Sequence, residues 1–375
     1  MREAALATVT DVARRANVSV STVSRVLSGK QTVAPKTRQR VMKAVEALGY
    51  QRNQLAQSLR LGRSQTVGFI VGDIEQTVYP LLSKYLQAEL EETGSNLLLF
   101  NTSHRTDRLK SMLSHARQLR LSAVLIATSD ELDTEILCRF RDDETEYSCP
   151  IVVLGQDLSA HGICSVWHDD EAGSYAATRH MIATGCKRIG YIGRIHGSAI
   201  GAMRSKGYMR AIREAFGEVE PDRIWDASYR YPAGYSTLLK SLEKGQRLDA
   251  VMAGSDEIAL GVMAAAIDSG MIIPQDLSLV GFGDVEWGAH VRPSLSTLSS
   301  DFPRMARVVS EIIAKRHAGD MTPSAVPIPR KLILRRSVRQ SALQAYLRDA
   351  GRIEQTAADN PAPSRYIEQE QDNAD

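Results

Sequence analysis

The apolar positions at the start of the chain recur with the period of an α-helix and predict three short helices. Thr10 can cap the first helix and Ser19 the second, while Pro35 and Gly49 suit the beginning and the end of the third. Helices of this length are unstable alone, so they must share one core. Their apolar stripes are Val12, Ala13 and Ala16, then Val23, Val26 and Leu27, and finally Val41, Ala44, Val45 and Leu48.

Packing these stripes together leaves one side of the second helix facing outward. Its outward side chains are Val20, Ser21, Thr22, Ser24 and Arg25. An exposed arginine among hydroxyls suits the reading of base edges in a DNA major groove, although an ordinary helical hairpin with a solvated polar face has the same short pattern. The distribution of charge favours the DNA-binding interpretation over the ordinary hairpin. Residues 1–64 contain twelve basic and three acidic residues, a net charge of +9, in a chain whose total charge is +2.

Residues 65–340 alternate short apolar runs with amphipathic stretches, which is typical of parallel β-sheets with helices on both faces. Strands are predicted at Val67–Val71, Leu97–Phe100, Ala123–Ala127, Ile151–Leu154, Ile189–Ile192, Ala250–Ala253 and Leu277–Phe282. Helices are predicted at Tyr79–Thr93, Glu171–Thr184, Met203–Phe216, Gly234–Lys244 and Glu257–Ser269. The 276 residues of this region exceed what one core usually holds, so we expect two lobes.

Composition narrows the class of protein further. No apolar run reaches the ~20 residues that span a bilayer, and the N-terminus lacks the apolar segment of a signal peptide, so we expect a cytoplasmic protein with no membrane partner. The four cysteines form no CxxC or His/Cys cluster, so neither a zinc site nor a disulfide framework is indicated. We expect no bound metal and no cofactor. Residues 341–375 carry a net charge of −4 and are predicted to form a disordered acidic tail.

The runs TDVARRANVSVSTVSRVLSG, VAPKTRQRVMKAVEALGY and NQLAQSLR closely resemble the lactose/galactose repressor family, over about residues 8–338. The resemblance implies an all-α helix-turn-helix DNA-binding domain, a hinge helix with its linker, and an α/β two-lobed body like a periplasmic binding protein. These would span residues 1–50, 51–64 and 65–340. The N-lobe would comprise about 65–163 and 299–325, and the C-lobe about 164–298 and 326–340, with crossings near Cys164, Leu298 and Val326.

The resemblance also implies how DNA is contacted. Base edges would be read by Val20, Ser21 and Arg25. Contacts with phosphate or sugar, which set position and not sequence, are implied for Thr22, Ser24, Ser28, Thr32, Thr37 and Tyr50. Thr10, at the start of the first helix, is a further candidate contact.

The hinge helix is implied at residues 53–60. Asn53 would cap it, Ala56 would lie on its apolar side, and Leu59 would wedge open a central base step. Without the resemblance, Leu59 would be interpreted as a linker residue. Eight residues are too few for a stable helix, so this segment should order only on DNA, beside the hinge of a second subunit. Arg52 replaces the usual proline, with an effect on the hinge that the sequence does not predict.

We expect a homodimer on a near-palindromic operator, because the tail has too few leucines for the heptad repeat of tetrameric relatives. An enzyme is not expected. Neither a G-x-G-x-x-G after the first strand nor a Walker lysine motif supports the alternative of a nucleotide-dependent α/β enzyme.

Three loops match the family's effector-binding loops. Arg204 in GAMRSKGY matches an arginine that grips the effector, and a planar guanidinium suits a carboxylate or vicinal hydroxyls. Ser255 and Asp256 begin a second loop, where Asp256 either caps the next helix or contacts the ligand. In the third loop Gly283 replaces an aspartate of sugar-sensing relatives and Asp284 follows it, which removes a negative charge and favours an anionic ligand.

Three stretches look similar to the gluconate-repressor branch, namely EQTVY at residues 75–79, RSKGY at 204–208 and FGDVEW at 282–287. The effector is therefore predicted to be a sugar acid such as gluconate or a ketogluconate. Tyr79 would stack on it or belong to the core. Lys206 is a weaker candidate for the carboxylate, because residues two apart on a helix face different ways. A phosphosugar or a phosphorylated partner protein is the alternative signal, and the direction of control stays open.

Overall fold

The computed structural model describes residues 7–27, 33–50, 64–143 and 149–340. The chain divides into two compact units after Ser64. Several predictions lie outside the described residues, namely the hinge helix, the acidic tail and the DNA contacts Ser28, Thr32, Asn53, Ala56 and Leu59.

The N-terminal unit contains α1 (Val9–Ala16), α2 (Val20–Leu27) and α3 (Pro35–Leu48). Seven side chains form its buried core, and they come from the three predicted apolar stripes: Val12, Ala13, Ala16, Val23, Val26, Val41 and Ala44. The prediction of three helices around one small core is confirmed.

The beginning of α1 differs from the prediction by two residues. Thr8, and not Thr10, is the N-cap, and it forms a capping box with Asp11. The Thr8 Oγ1 accepts a hydrogen bond from the Asp11 amide at 3.3 Å, and the Asp11 carboxylate accepts one from the Thr8 amide at 3.0 Å. The capping box thus satisfies the backbone amides of Thr8 and Asp11. Thr10 lies inside the first turn of the helix, and its side chain is exposed.

Two six-stranded sheets form the C-terminal unit. The first has the strand order β11-β5-β4-β3-β1-β2, all parallel, with β1 Thr66–Val71, β2 Asn96–Asn101, β3 Ala123–Ala127, β4 Ile151–Leu154, β5 Cys164–His168 and β11 Ala325–Ile328. The second has the order β12-β10-β9-β8-β6-β7, in which only β12 is antiparallel, with β6 Ile189–Gly193, β7 Ile224–Asp226, β8 Ala250–Ala253, β9 Ser278–Gly283, β10 Ser296–Ser299 and β12 Leu332–Ile333.

Helices pack on both faces of each sheet. The first sheet is packed by α4 Val78–Glu92, α5 Asp107–Gln118, α6 Thr134–Asp142 and α11 Phe302–His317. The second is packed by α7 Asp170–Ala183, α8 Ala199–Phe216, α9 Tyr231–Glu243 and α10 Asp256–Asp268. Short 3-10 helices lie at Ser159–His161, Pro221–Arg223 and Glu286–Ala289. In β1, Phe69 and Val71 enter the core shared with α4 and α11, and Ile70 enters the opposite one, as strands covered on both faces require.

The three crossings between lobes come slightly later than expected. β5 pairs with β4 through His168, and β11 pairs with β5 through Ile328, so both strands belong to the first lobe. The chain therefore crosses after residue 168, between β10 and α11, and between β11 and β12. The crossings therefore lie a few residues after Cys164 and Val326, because each strand completes its pairing before the chain leaves the sheet. Among the helices described, none is long and apolar enough to span a membrane.

Candidate DNA-binding face and effector cleft

The outward side of α2 carries the side chains that were expected to read DNA. Val20 is 43% exposed, Ser21 and Arg25 are also exposed, and Thr22 and Ser24 are half-buried. At the start of the helix, the Ser19 Oγ accepts a hydrogen bond from the Thr22 amide at 3.2 Å and lies 2.8 Å from the hydroxyls of Ser21 and Thr22. These contacts order hydroxyls at the positive end of the helix dipole, where an anion such as phosphate is favoured.

Three further candidate DNA contacts lie beside the same small core. Thr10 is exposed in the first turn of α1, and Thr37 is half-buried in the first turn of α3. Tyr50 follows α3 and packs partly against the core, so its ring has a structural role. Gly49 allows this turn because its φ is +56°.

A cavity of about 100 Å³ lies between the two lobes of the C-terminal unit. It is bounded by residues at the carboxyl ends of strands from both sheets, which is where open α/β folds bind ligands. Among the residues expected to bind effector, those that line it are Tyr79, Arg204, Ser255, Asp256 and Gly283.

Two of the expected effector residues lie elsewhere. The Lys206 ammonium is 2.8 Å from the Glu171 carboxylate, and its side chain is 69% exposed on the outside of α8. Asp284 turns away from the cavity, and its Oδ1 accepts a hydrogen bond from Arg335 at 2.6 Å. Lys206 and Asp284 therefore do not line the cavity as expected. Lys206 faces away from Arg204 around the helix, and Asp284 is directed toward Arg335.

Arg204 is held inside the cavity by contacts on several sides. Its Nη1 donates to the Gly254 carbonyl at 2.5 Å, and its Nε donates to the Asp170 carboxylate at 3.3 Å. The guanidinium lies 4.2 Å from the centroid of the Phe282 ring. Such contacts fix the plane of the guanidinium before any ligand arrives.

A second arginine, which the sequence analysis missed, shares the same carboxylate. The Nη2 and Nε of Arg330 lie 2.8 and 3.0 Å from Asp170 Oδ1. The Arg330 Nη1 donates to the Ser300 hydroxyl at 2.6 Å. Burial alone would raise the pKa of Asp170, but Arg204 and Arg330 outweigh it and hold that pKa below its ordinary value. Burial lowers the pKa of Arg330 to about 10, which leaves it charged at neutral pH.

His168 also lines the cavity and was not predicted. Its Nε2 donates to the Ser300 carbonyl at 2.5 Å, which joins two of the crossings between lobes. Burial lowers the pKa of His168 to about 3, and the neighbouring Arg330 adds to the effect, so the imidazole is neutral at physiological pH. The adjacent acids Asp169 and Asp170 after β5 were the available signal for this part of the site.

Asp256 is not a helix cap, because Ser255 has that role for α10 and accepts a hydrogen bond from the Ile258 amide at 3.1 Å. The two oxygens of Asp256 accept hydrogen bonds from the Thr297 hydroxyl at 2.6 Å and from the Val285 amide at 2.9 Å. Burial raises the pKa of Asp256 to about 6. The carboxylate therefore anchors the loop after β9 while it lines the cavity.

The opposite wall of the cavity carries most of its large apolar side chains. Tyr79 is buried in the core of the first lobe and also borders the cavity, so both of its expected roles remain compatible with its position. The other large apolar side chains on this wall are Leu82, Leu154, Phe302 and Met305. Such a wall provides contact area for the body of a ligand and excludes water from its charged end.

Contacts across the cleft hold the lobes together over the cavity. Arg194 of the second lobe lies 2.6 Å from Asp130 of the first. The Thr77 hydroxyl donates to the Glu257 carboxylate at 2.8 Å. Arg230 adds a further ion pair with Glu75 at 2.6 Å. Because each contact joins different lobes, a change in the separation of the lobes would break it.

Comparisons with known proteins agree with this architecture. The family model of bacterial regulatory proteins, lacI family, matches residues 8–53, and the periplasmic binding protein-like domain matches residues 178–338. The chain is 28% identical to catabolite control protein A of Priestia megaterium over 334 residues, which cover 88% of this chain and 99% of that protein. It is 30% identical to the HTH-type transcriptional regulator GalS of Salmonella typhimurium over 340 residues, which cover 90% and 98%.

A solved structure has the same fold. The crystal structure of the lac repressor dimer bound to operator and the anti-inducer ONPF matches with a TM-score of 0.78 at 22% identity, covering 88% of this chain and 99% of that one. Together with the identity to GalS over nearly the whole length of both proteins, the helix-turn-helix unit and the two-lobed body show that this chain belongs to the lacI family of bacterial regulatory proteins, and that it is a DNA-binding transcriptional regulator and not an enzyme.

Proposed function

We propose that the protein is a dimeric repressor whose hold on a near-palindromic operator is controlled by a sugar acid, of the gluconate or ketogluconate type, bound between its lobes. The observation that carries the effector half is the pair of guanidiniums, Arg204 and Arg330, enclosed in the interlobe cavity. We place the protein in the cytoplasm, where its operator DNA lies.

The DNA half of the proposal rests on the exposed side of α2. Arg25 and Ser21 are outward on a helix that belongs to a strongly basic segment of the chain. Two such helices, one from each subunit, would enter successive major grooves about one helical turn apart. The lac repressor that shares this fold was solved as a dimer on its operator, which supports the same arrangement here.

The sugar acid is supported by the chemistry of the cavity lining. A carboxylate would accept bidentate hydrogen bonds from Arg204, a geometry that a guanidinium fork favours. Ser129, Ser255 and Tyr229 contribute hydroxyls to the lining and would meet the hydroxyl groups of such an acid. A phosphosugar would use the same guanidiniums, so the test compares both classes.

Control of DNA binding would act through lobe closure. The effector bridges the lobes, and so it favours the closed arrangement that Arg194 and Arg230 already stabilise. Coupling of this kind is typically ~1–3 kcal/mol between two sites. An effector that favours the DNA-competent form acts as a co-repressor, and one that favours the other form acts as an inducer.

The test is fluorescence anisotropy of a labelled, semi-palindromic operator taken from upstream of the gene for this chain. Gluconate, 2-ketogluconate, 5-ketogluconate, a phosphorylated sugar acid and neutral hexoses are added in turn. A shift of the binding curve by one sugar acid alone is expected. Arg204→Ala should abolish that shift without weakening operator binding, whereas Lys206→Ala, on the outer side of the same helix, should leave it intact.

A response to neutral hexoses and not to acids would contradict the effector assignment. Tight operator binding that no small molecule alters would contradict small-molecule control and favour a phosphorylated partner protein. Equal binding of operator and random DNA would contradict the role of α2.

A further inference from the structure

Three buried charges meet at one end of the cavity, and they do not cancel. Arg204 and Arg330 both bind the same oxygen of Asp170, and the exposed fractions of the three side chains are 13%, 4% and 3%. Two cations and one anion leave a net charge of +1 in this cluster, which we call the arginine triad. A buried charge without a partner in direct contact is strongly unfavourable, so a further negative charge against the triad would stabilise it.

The two other carboxylates on the lining are hydrogen-bonded to donors of their own and form no ion pair with Arg204 or Arg330, although Asp256 acts on Arg330 electrostatically. Asp256 is held by Thr297 and the Val285 amide and lies beside the Asp284–Arg335 pair. Glu257 accepts two hydrogen bonds from Thr77.

The cations at the edge of the cleft are paired as well. Arg194 is bound to Asp130, and Arg230 contacts Glu75 and lies 4.0 Å from Glu257. Away from the triad, the described part of the lining therefore offers a ligand carboxylates, hydroxyl groups and apolar side chains.

We propose that the arginine triad selects ligands that carry a single negative charge, and that Asp170 is the residue that limits the number to one. This inference rests on the proposed function, because it concerns the effector of that same cleft. Arg330 becomes a specificity-determining residue through the charge it adds.

The selection works in both directions. A neutral ligand leaves the net +1 of the triad unbalanced inside a closed cleft. A ligand with two carboxylates places the second one near the apolar wall or near Asp256 and Glu257, where a further negative charge is unfavourable. A monoanion with a polar or apolar body avoids both penalties.

The experiment is isothermal titration calorimetry of the full-length protein with two matched series of six-carbon probes. D-glucitol, D-gluconate and D-glucarate carry no, one and two carboxylates on one polyol skeleton. Hexanamide, hexanoate and adipate repeat that comparison on an aliphatic skeleton. In at least one series the monoanion should bind at least about tenfold more tightly than both the neutral probe and the dianion of that series.

Two variants test the charge count itself. Asp170→Asn raises the triad to +2, and the ratio of dianion to monoanion affinity should rise about tenfold. Arg330→Gln reduces the triad to zero, so the preference for the monoanion over the neutral probe should vanish. Glu171→Gln is the matched control, because Glu171 is next to Asp170 but pairs with Lys206 and Arg210 on the outside of the lobe.

The proposal of charge selection can fail while the proposed function holds, so the two are tested separately. Dianions that bind as tightly as monoanions, unchanged ratios in both variants, or no preference for the monoanion in either series would overturn the charge selection. None of these results affects a regulator that responds to an effector in the anisotropy assay. If Asp170→Asn does not fold, Arg330→Gln and the wild-type series still decide the question.

Discussion

Replacing Arg194 with Ala removes the cation that joins the two lobes at one end of the cleft. Arg194 Nη1 lies 2.6 Å from Asp130 Oδ1, and the two side chains are 23% and 7% exposed. A hydrogen bond to a charged group contributes about 1.5–3 kcal/mol. His104 and Thr128 also bind Asp130, so the carboxylate keeps partners and the lower figure applies. A loss of about 1.4 kcal/mol corresponds to tenfold in an equilibrium constant.

The lost interaction energy lowers the stability of the closed arrangement of the lobes alone, because Arg194 and Asp130 belong to different lobes. The closed fraction of Arg194→Ala should fall about tenfold relative to the open one, and the effector concentration at half-maximal shift of the operator anisotropy curve should rise by up to that factor. Arg188→Ala is the control, since Arg188 pairs with Asp249 within one lobe. An effector response of Arg194→Ala that matches both Arg188→Ala and the wild type would refute the closure argument.

Five other substitutions have defined outcomes. Arg25→Ala should reduce discrimination between operator and random DNA by ~1–3 kcal/mol in anisotropy titrations, and equal losses on both DNAs would argue against base reading. Thr8→Ala removes the capping box of α1 and should cost about 1 kcal/mol in urea unfolding of the N-terminal unit, whereas Thr10→Ala should have little effect. Gly281→Ala should prevent folding or lower the melting temperature sharply, because a Cβ there would lie 2.2 Å from Asp256 Oδ1. The pKa of Asp256 is raised to about 6 in the folded state, so its ionisation costs stability as pH rises from about 4 to 6, and the urea stability of Asp256→Asn relative to wild type should be higher at pH 7 than at pH 4.

The sequence predicted the elements whose signal lies within a few residues. The three N-terminal helices follow from apolar side chains that recur within one or two turns, and the strands at Ala123–Ala127 and Ile151–Leu154 follow from continuous apolar runs. Arg204 was found because it lies in a recognisable sequence motif, GAMRSKGY, which the structure places in α8. Errors of two residues, as between Thr8 and Thr10, arose where two threonines could cap the same helix and only the backbone geometry distinguished them.

Polar strands could not be recognised in this way. β10, with the sequence STLS, is almost entirely buried although half of it is serine. The Ser296 and Thr297 hydroxyls bind Arg335 and Asp256, which lie 39 and 41 residues away in sequence. A polar side chain is stable in a core only when such a partner is present, and neighbouring residues in the sequence carry no information about that partner.

The sequence by itself determined the DNA-binding helices, the alternation of strands and helices, and one arginine of the cleft. The tertiary structure alone decided that Asp170 and Arg330, 160 residues apart, bind one another beside Arg204. The physical reason is the range of each signal. Periodicity and capping act within one turn of a helix or one strand, whereas the arginine triad depends on how three chain crossings bring the ends of two sheets together, and that arrangement follows from the packing of the whole unit.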